Sequence, residues 1–211
     1  MFVKEVKDKK RILVIILSLL GIIFFLFRGE ILVHLGVSYR KAYNIDFSKV
    51  KINSMYLKLN IVQMQYGWRT GLEYDNNPTM LIYHHTAIKN ITPEEINNLH
   101  QSKGWQGIGY HYYITKEGTI FSGRPEKAVG AHTKGKNKCS IGIALEGDFE
   151  EEQLTKEQIE SLIDLSTYLC LKYDICKIIG HNDVSNTLCP GKNFPKNDIR
   201  EMVIKQVKSA K

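Results

Sequence analysis

Residues 177–191 read KIIGHNDVSNTLCPG. The first four form a short apolar run that ends at His181, and Cys189 follows eight residues later, before Pro190-Gly191. The same pattern stands at 80–85, MLIYHH, where an apolar run after the turn-rich stretch 74–78 ends at His84-His85. Both runs read as short buried strands. A third buried strand is expected at 140–146, SIGIALE. Residues 111–115 (HYYIT) and 119–122 flank Lys116-Glu117-Gly118, a hairpin signal. Helix starts lie between these strands. Thr92 can cap a helix with Pro93 in its first position and Glu95 completing a capping box, and that helix is expected to run to about Ser102. Thr155-Lys156-Glu157-Gln158 opens another, with Ile159, Leu162, Ile163, Leu165 and Leu169 on one face. Strands that alternate with helices predict an α/β fold, a mixed central β-sheet flanked by helices.

The chain has 211 residues, 43% hydrophobic and 24% charged, which suits one ordinary domain with an appendage and excludes collagen and low-complexity disorder. Four cysteines are too few for a disulfide scaffold. Cys170 and Cys176 are six apart and could be bridged or stand as buried thiols; Cys139 is uninformative, and no Cys-x-x-Cys pair exists. The formal net charge is +7, of which +3 falls in residues 1–11, leaving +4 on the remainder. That mild excess suits a partner with acidic groups, such as cell-wall polymer or lipid headgroups. Without a helix-turn-helix, finger or aromatic RNA-binding motif, no nucleic-acid partner is expected.

Residues 12–27, ILVIILSLLGIIFFLF, carry no charge. As a helix they would be roughly 24 Å long, against a hydrocarbon core of about 30 Å, and flanking residues could supply the difference. The expected organisation is a cytoplasmic basic tail at 1–11, one transmembrane helix at 12–27, a stalk and entry segment at 28–59 and a compact domain at 60–211. The basic cluster ahead of the apolar run predicts a single-pass anchor in the cell membrane, with the domain outside the cytoplasm. A cleaved signal peptide is the rival reading, although no Ala-x-Ala-like site follows Phe27.

Five of the seven histidines fall at strand ends or in adjacent loops: His84, His85, His111, His132 and His181. Strand ends of an α/β sheet are where sites are built. Two imidazoles and one thiolate make a three-ligand zinc set that leaves a fourth position for water. If 80–85 is extended, His84 and His85 point to opposite faces, so at most one faces a given metal. The plain alternative is that each histidine is a satisfied polar group and Cys189 a structural thiol.

The ordered motifs resemble the zinc-dependent N-acetylmuramoyl-L-alanine amidases and the animal peptidoglycan recognition proteins. They are His85-Thr86-Ala87 after an apolar strand, Gly109-Tyr110-His111, Gly118-Thr119-Ile120, Gly130-Ala131-His132, Ser140-Ile141-Gly142-Ile143 and, most specific, residues 180–191, GHNDVSNTLCPG. They span about residues 72–195. The resemblance implies a peptidoglycan recognition protein-like fold, one Zn2+ and hydrolysis of the amide between N-acetylmuramic acid and L-alanine in peptidoglycan. Carried over by motif, the zinc ligands are His85, His181 and Cys189. Tyr110 is implied to assist the attacking water and Thr187 to hold the developing oxyanion. His132, Asn137 and His111 are implied to line the substrate groove. Related amidases use a strand glutamate in place of the tyrosine; Glu146 is near that region, though the matching position is Ala144. Residues 87–100 lack the cysteines of the animal proteins' loop, which favours a bacterial or phage-type enzyme.

Three other readings compete. A non-catalytic peptidoglycan-binding module would commonly have serine in place of the metal thiolate, and Cys189 is intact. A cysteine hydrolase would use Cys189 as nucleophile and His181 as base, often with the cysteine at a helix start, whereas here Cys-Pro-Gly follows a loop. A membrane-tethered scaffold would only bind partners.

Overall fold

The computed structural model describes residues 47–175 and 177–210. The chain divides into two units at Val50, and of the first only residues 47–50 are described. The expected tail at 1–11, the apolar run at 12–27, most of the stalk, and Cys176 with its possible bridge lie outside the described residues. Among the described residues, no helix is long and apolar enough to cross a membrane.

The elements run α1 (Phe47–Lys58), β1 (Met80–His85), α2 (Pro93–Ser102), β2 (Tyr112–Ile114), β3 (Ile120–Ser122), β4 (Ser140–Leu145), α3 (Lys156–Tyr173), β5 (Lys177–Gly180), a 3-10 turn (His181–Asp183) and α4 (Lys196–Ala210). The sheet order is β3-β2-β4-β1-β5, parallel except for the antiparallel β2–β3 hairpin. Thus the mixed α/β architecture expected from the alternation is present. The hairpin turns at Gly118, whose φ of 79° is open to glycine at little cost. Both capping boxes form: Thr92 with Glu95 opens α2, and Thr155 with Gln158 opens α3.

The register sorts side chains between two faces. Leu81 lies beside Ile141, Tyr83 beside Ile143 and His85 beside Leu145, while Ile82 lies beside Gly142 and His84 beside Ala144. The apolar members of the first set belong to the main core with Leu162, Leu165 and Leu169 of α3 and Ile199 and Val203 of α4. Each such side chain contributes about 1.5–3 kcal/mol when buried. On the other face a second cluster gathers Ala144, Tyr113, Ile96 and Ile108. Strand β4 therefore alternates: Ile141, Ile143 and Leu145 meet the helices, and Ser140, Gly142 and Ala144 leave room opposite them.

Two helices were not read from the sequence. Helix α4 has only Ile199 and Val203 buried, one turn apart, among charged residues. Residues 47–59 fall in the expected stalk and lack an apolar period, yet Ile52, Met55 and Leu59 pack on the main core. The packed unit accordingly takes in residues from Lys51, ahead of the boundary expected at 60.

Candidate metal centre

The parallel strands β1 and β5 deliver their carboxyl ends to one place. Strand β1 ends in His84-His85, and β5 passes directly into the 3-10 turn that begins with His181. Asp183 anchors this turn: one carboxylate oxygen accepts the Gly180 N–H at 2.8 Å and the other meets Lys196 Nζ at 2.5 Å. The loop after it folds back, and the Asn182 N–H donates to the Cys189 carbonyl at 2.8 Å. That bond brings Cys189 beside His181 despite their separation in sequence.

His84, His181 and Cys189 offer donor atoms that all lie within 4.8 Å of one another. Nδ1 of His84 is 3.6 Å from Cys189 Sγ, and the rings of His84 and His181 are 4.6 Å apart. Zinc bonds of about 2.3 Å to sulfur and 2.0–2.1 Å to nitrogen in a tetrahedron give an S···N edge of about 3.6 Å. Protonation fits as well. Burial, reinforced by the other imidazoles, keeps His84 neutral, and burial also lowers the pKa of His181, so both present lone pairs. Burial pushes the Cys189 thiol up to about 12, against a lowering contribution from the His85 N–H that Sγ accepts at 3.4 Å. A thiol held protonated in this way becomes a thiolate when a cation compensates it. It is a poor free nucleophile, which counts against the cysteine-hydrolase reading. The donor set fits zinc.

His85, the ligand expected from the motif, is on the opposite face. Its Nδ1 accepts the Phe149 N–H at 3.2 Å and lies 3.7 Å from Asp148, with its ring facing Phe149. The correction from His85 to His84 follows from strand alternation: Leu81, Tyr83 and His85 share the helix-covered face, and Met80, Ile82 and His84 look the other way. No local signal in β1 separates the two; His84 lies beside Ala144 and His85 beside Leu145 only once β1 and β4 are paired.

Tyr110 stands beside the donors, its ring 5.2 Å from that of His84. Burial, and then the neighbouring Cys189, raises its phenol above the ordinary tyrosine value, so its proton is retained at neutral pH. Thr187 Oγ1 accepts the Cys189 N–H at 3.2 Å, and its hydroxyl retains an O–H that can donate.

The implied groove residues are placed differently. His111 is buried and serves as a brace: Nδ1 accepts the Gly142 N–H at 3.0 Å and Nε2 donates to the Ala128 carbonyl at 3.1 Å. His132, 6% exposed, sits behind His84. Asn137 accepts the N–H groups of His132 and Thr133 through Oδ1 and so fixes the loop that carries His132. None of these three contacts marks a groove wall. Glu146 is buried and committed to structure, accepting the N–H groups of Asn90 and Lys116.

The family model for N-acetylmuramoyl-L-alanine amidase matches residues 74–192, more than half of the chain and including every residue of the cluster. The chain belongs to this amidase family. The family member is 36% identical over 118 residues to the endolysin of Enterobacteria phage T3, covering 52% of this chain and 78% of that protein. It is 33% identical over 124 residues to peptidoglycan-recognition protein LB of Drosophila melanogaster, covering 53% of each. Among solved structures, the endolysin amidase LysCS from Clostridium intestinale shares 50% identity with a TM-score of 0.68, over 69% of this amidase chain and 95% of that one.

Proposed function

We propose that this amidase uses zinc, held by His84, His181 and Cys189, to hydrolyse the lactyl amide joining N-acetylmuramic acid to L-alanine in peptidoglycan. The observation that carries the reading is the His84–His181–Cys189 cluster at the carboxyl ends of β1 and β5, with its 3.6 Å nitrogen–sulfur edge. When bound there, zinc would supply a Lewis acid and lower the pKa of water to about 7. The chain's own residues do the rest. Tyr110 keeps its phenolic proton and can orient the attacking water through its oxygen. Thr187 offers its O–H to the amide oxygen as negative charge develops, a neutral donor where lysine would be a charged one. His181, part-exposed at the start of its turn, forms the solvent side of the cluster.

Two further parts of the reading concern placement in the cell. Residues 12–27, uncharged and preceded by a basic cluster, would tether the amidase as a single-pass membrane protein. The domain would then act outside the cytoplasm, where its substrate lies.

The deciding experiment is mass spectrometry of peptidoglycan incubated with the zinc-loaded protein, with and without chelator. Free stem peptides beginning with L-alanine, abolished by chelator, are expected. Intact muropeptides in both samples would favour the non-catalytic binding module, and turnover that survives chelation would remove the metal from the reaction.

A further inference from the structure

A buried histidine to which the mechanism gives no task stands against His84. His132 Nδ1 is 3.0 Å from Nε2 of His84, and His132 Nε2 is 3.3 Å from Ser140 Oγ. The Ser140 hydroxyl in turn lies 2.8 Å from the Lys136 carbonyl. The hydrogens along this row can be assigned from its far end. A carbonyl only accepts, so Ser140 donates to Lys136, and its oxygen is left to accept from Nε2–H of His132. A neutral imidazole carries a single N–H, so Nδ1 of His132 is a lone pair. The hydrogen in the 3.0 Å contact then belongs to Nε2 of His84. Nδ1 of His84 is left bare, and it is the atom 3.6 Å from Cys189 Sγ. Thr133 Oγ1, 3.1 Å from His132 Nδ1 and 3.4 Å from His84 Nε2, is a hydroxyl rotor that can accept from the same N–H without reversing it.

Packing holds the ring in this pose. A Cβ on Gly142 would lie 2.5 Å from His132 Cγ, and one on Gly130 would lie 2.6 Å from Cδ2. The two glycines form a slot that fits the imidazole closely. The loop entering the slot is pinned by Asn137, and the small face of β4 provides its floor.

We propose that His132 is a positioning residue that, with Ser140, fixes His84 in the Nε2–H tautomer and so presents Nδ1 to the metal. The proposal rests on the reading of His84, His181 and Cys189 as the metal centre. It assigns His132 to the support of a ligand in place of the substrate groove. Partners of this kind typically change metal affinity by about 10–100-fold when removed.

The test uses the full chain in detergent, with zinc affinity from competition with a chromophoric chelator and the His84 tautomer from imidazole 15N NMR of the metal-free protein. In the wild type, His84 should carry its proton on Nε2. His132→Leu should weaken zinc binding about 10–100-fold. His132→Asn, whose Oδ1 can stand where Nδ1 stood, should recover most of that loss, a rescue that mere filling of the slot would not produce. Ser140→Ala frees His132 to take either tautomer and should give His84 a mixed 15N signature. Zinc affinity unchanged in folded His132→Leu, or a wild-type His84 protonated on Nδ1, overturns the proposal. If His132→Leu does not fold, the wild-type tautomer and Ser140→Ala decide it. If the wild type binds no zinc at all, the metal reading falls, while the tautomer measurement still judges the His132–His84 link.

Discussion

His84 and His85 are joined by one peptide, yet strand geometry sends the first into the donor cluster with His181 and Cys189 and the second against Phe149 under the helices. Their substitution should separate them cleanly. His84→Ala should lose stoichiometric zinc while keeping its fold. His85→Ala should retain zinc but lose about 1–3 kcal/mol of stability, because the Phe149 N–H is left buried without its acceptor. Metal analysis and urea denaturation of the pair check this, and zinc retained by His84→Ala would return the ligand role to His85. At Tyr110, Phe should lower turnover by about 100-fold or more with metal content unchanged. Equal turnover of Tyr110→Phe and wild type would take the phenol out of the mechanism. At this scale the residue types of the centre were legible from the sequence, and the expected His181 and Cys189 both stand in the cluster. The choice between two adjacent histidines was not, because a motif match aligns letters and does not say which face of the sheet is open.

Strand β4 does at the level of an element what no single residue can. Its alternation of Ile141, Ile143 and Leu145 with Ser140, Gly142 and Ala144 packs α3 and α4 on one face and on the other admits His132 against Gly142 and the second cluster at Ala144. The 3-10 turn after β5 is the second decisive element, and Asp183 holds it. Burial pushes the Asp183 carboxyl up, but the bonds from Lys196 and the Gly180 N–H outweigh it and hold the pKa below the ordinary aspartate value. Asp183→Ala should therefore cost about 1 kcal/mol at neutral pH, the order found for a lost helix cap. A lowered folded pKa means that this stability is fully present above the unfolded value of about 3.9 and is lost as pH falls through the folded one. Denaturation at pH 7, 5 and 3 should show the gap between wild type and variant closing only at the acid end. A gap that persists undiminished under acid conditions would assign the effect to something other than the carboxylate. The elements that were legible are those with strong local signals: the two capping boxes, the Lys116–Gly118 turn and the short apolar strands. Helices α1 and α4 carry few apolar residues in register, and they are helical because the core gives their sparse apolar side chains somewhere to pack.

For the whole molecule, the proposed anchor makes a prediction of its own. The full chain should sediment with membranes and be released by detergent but not by high salt, while a fragment from residue 28 onward should remain soluble with its amidase activity intact. A full chain found free in the soluble fraction would remove the anchor from the reading, and an insoluble fragment would show that the apolar run is needed by the core. The sequence by itself determined the α/β class, the interleaved order of strands and helices, and the family, because these follow from local periodicity, capping chemistry and ordered motifs. The tertiary structure alone decided that His84 rather than His85 joins His181 and Cys189, that His111 and His132 are buried, and that Glu146 accepts backbone N–H groups. The physical reason is that burial and hydrogen-bond partnership are properties of a packed sheet. They depend on what the neighbouring strand places opposite each residue, and β4 is distant in sequence from both β1 and β5.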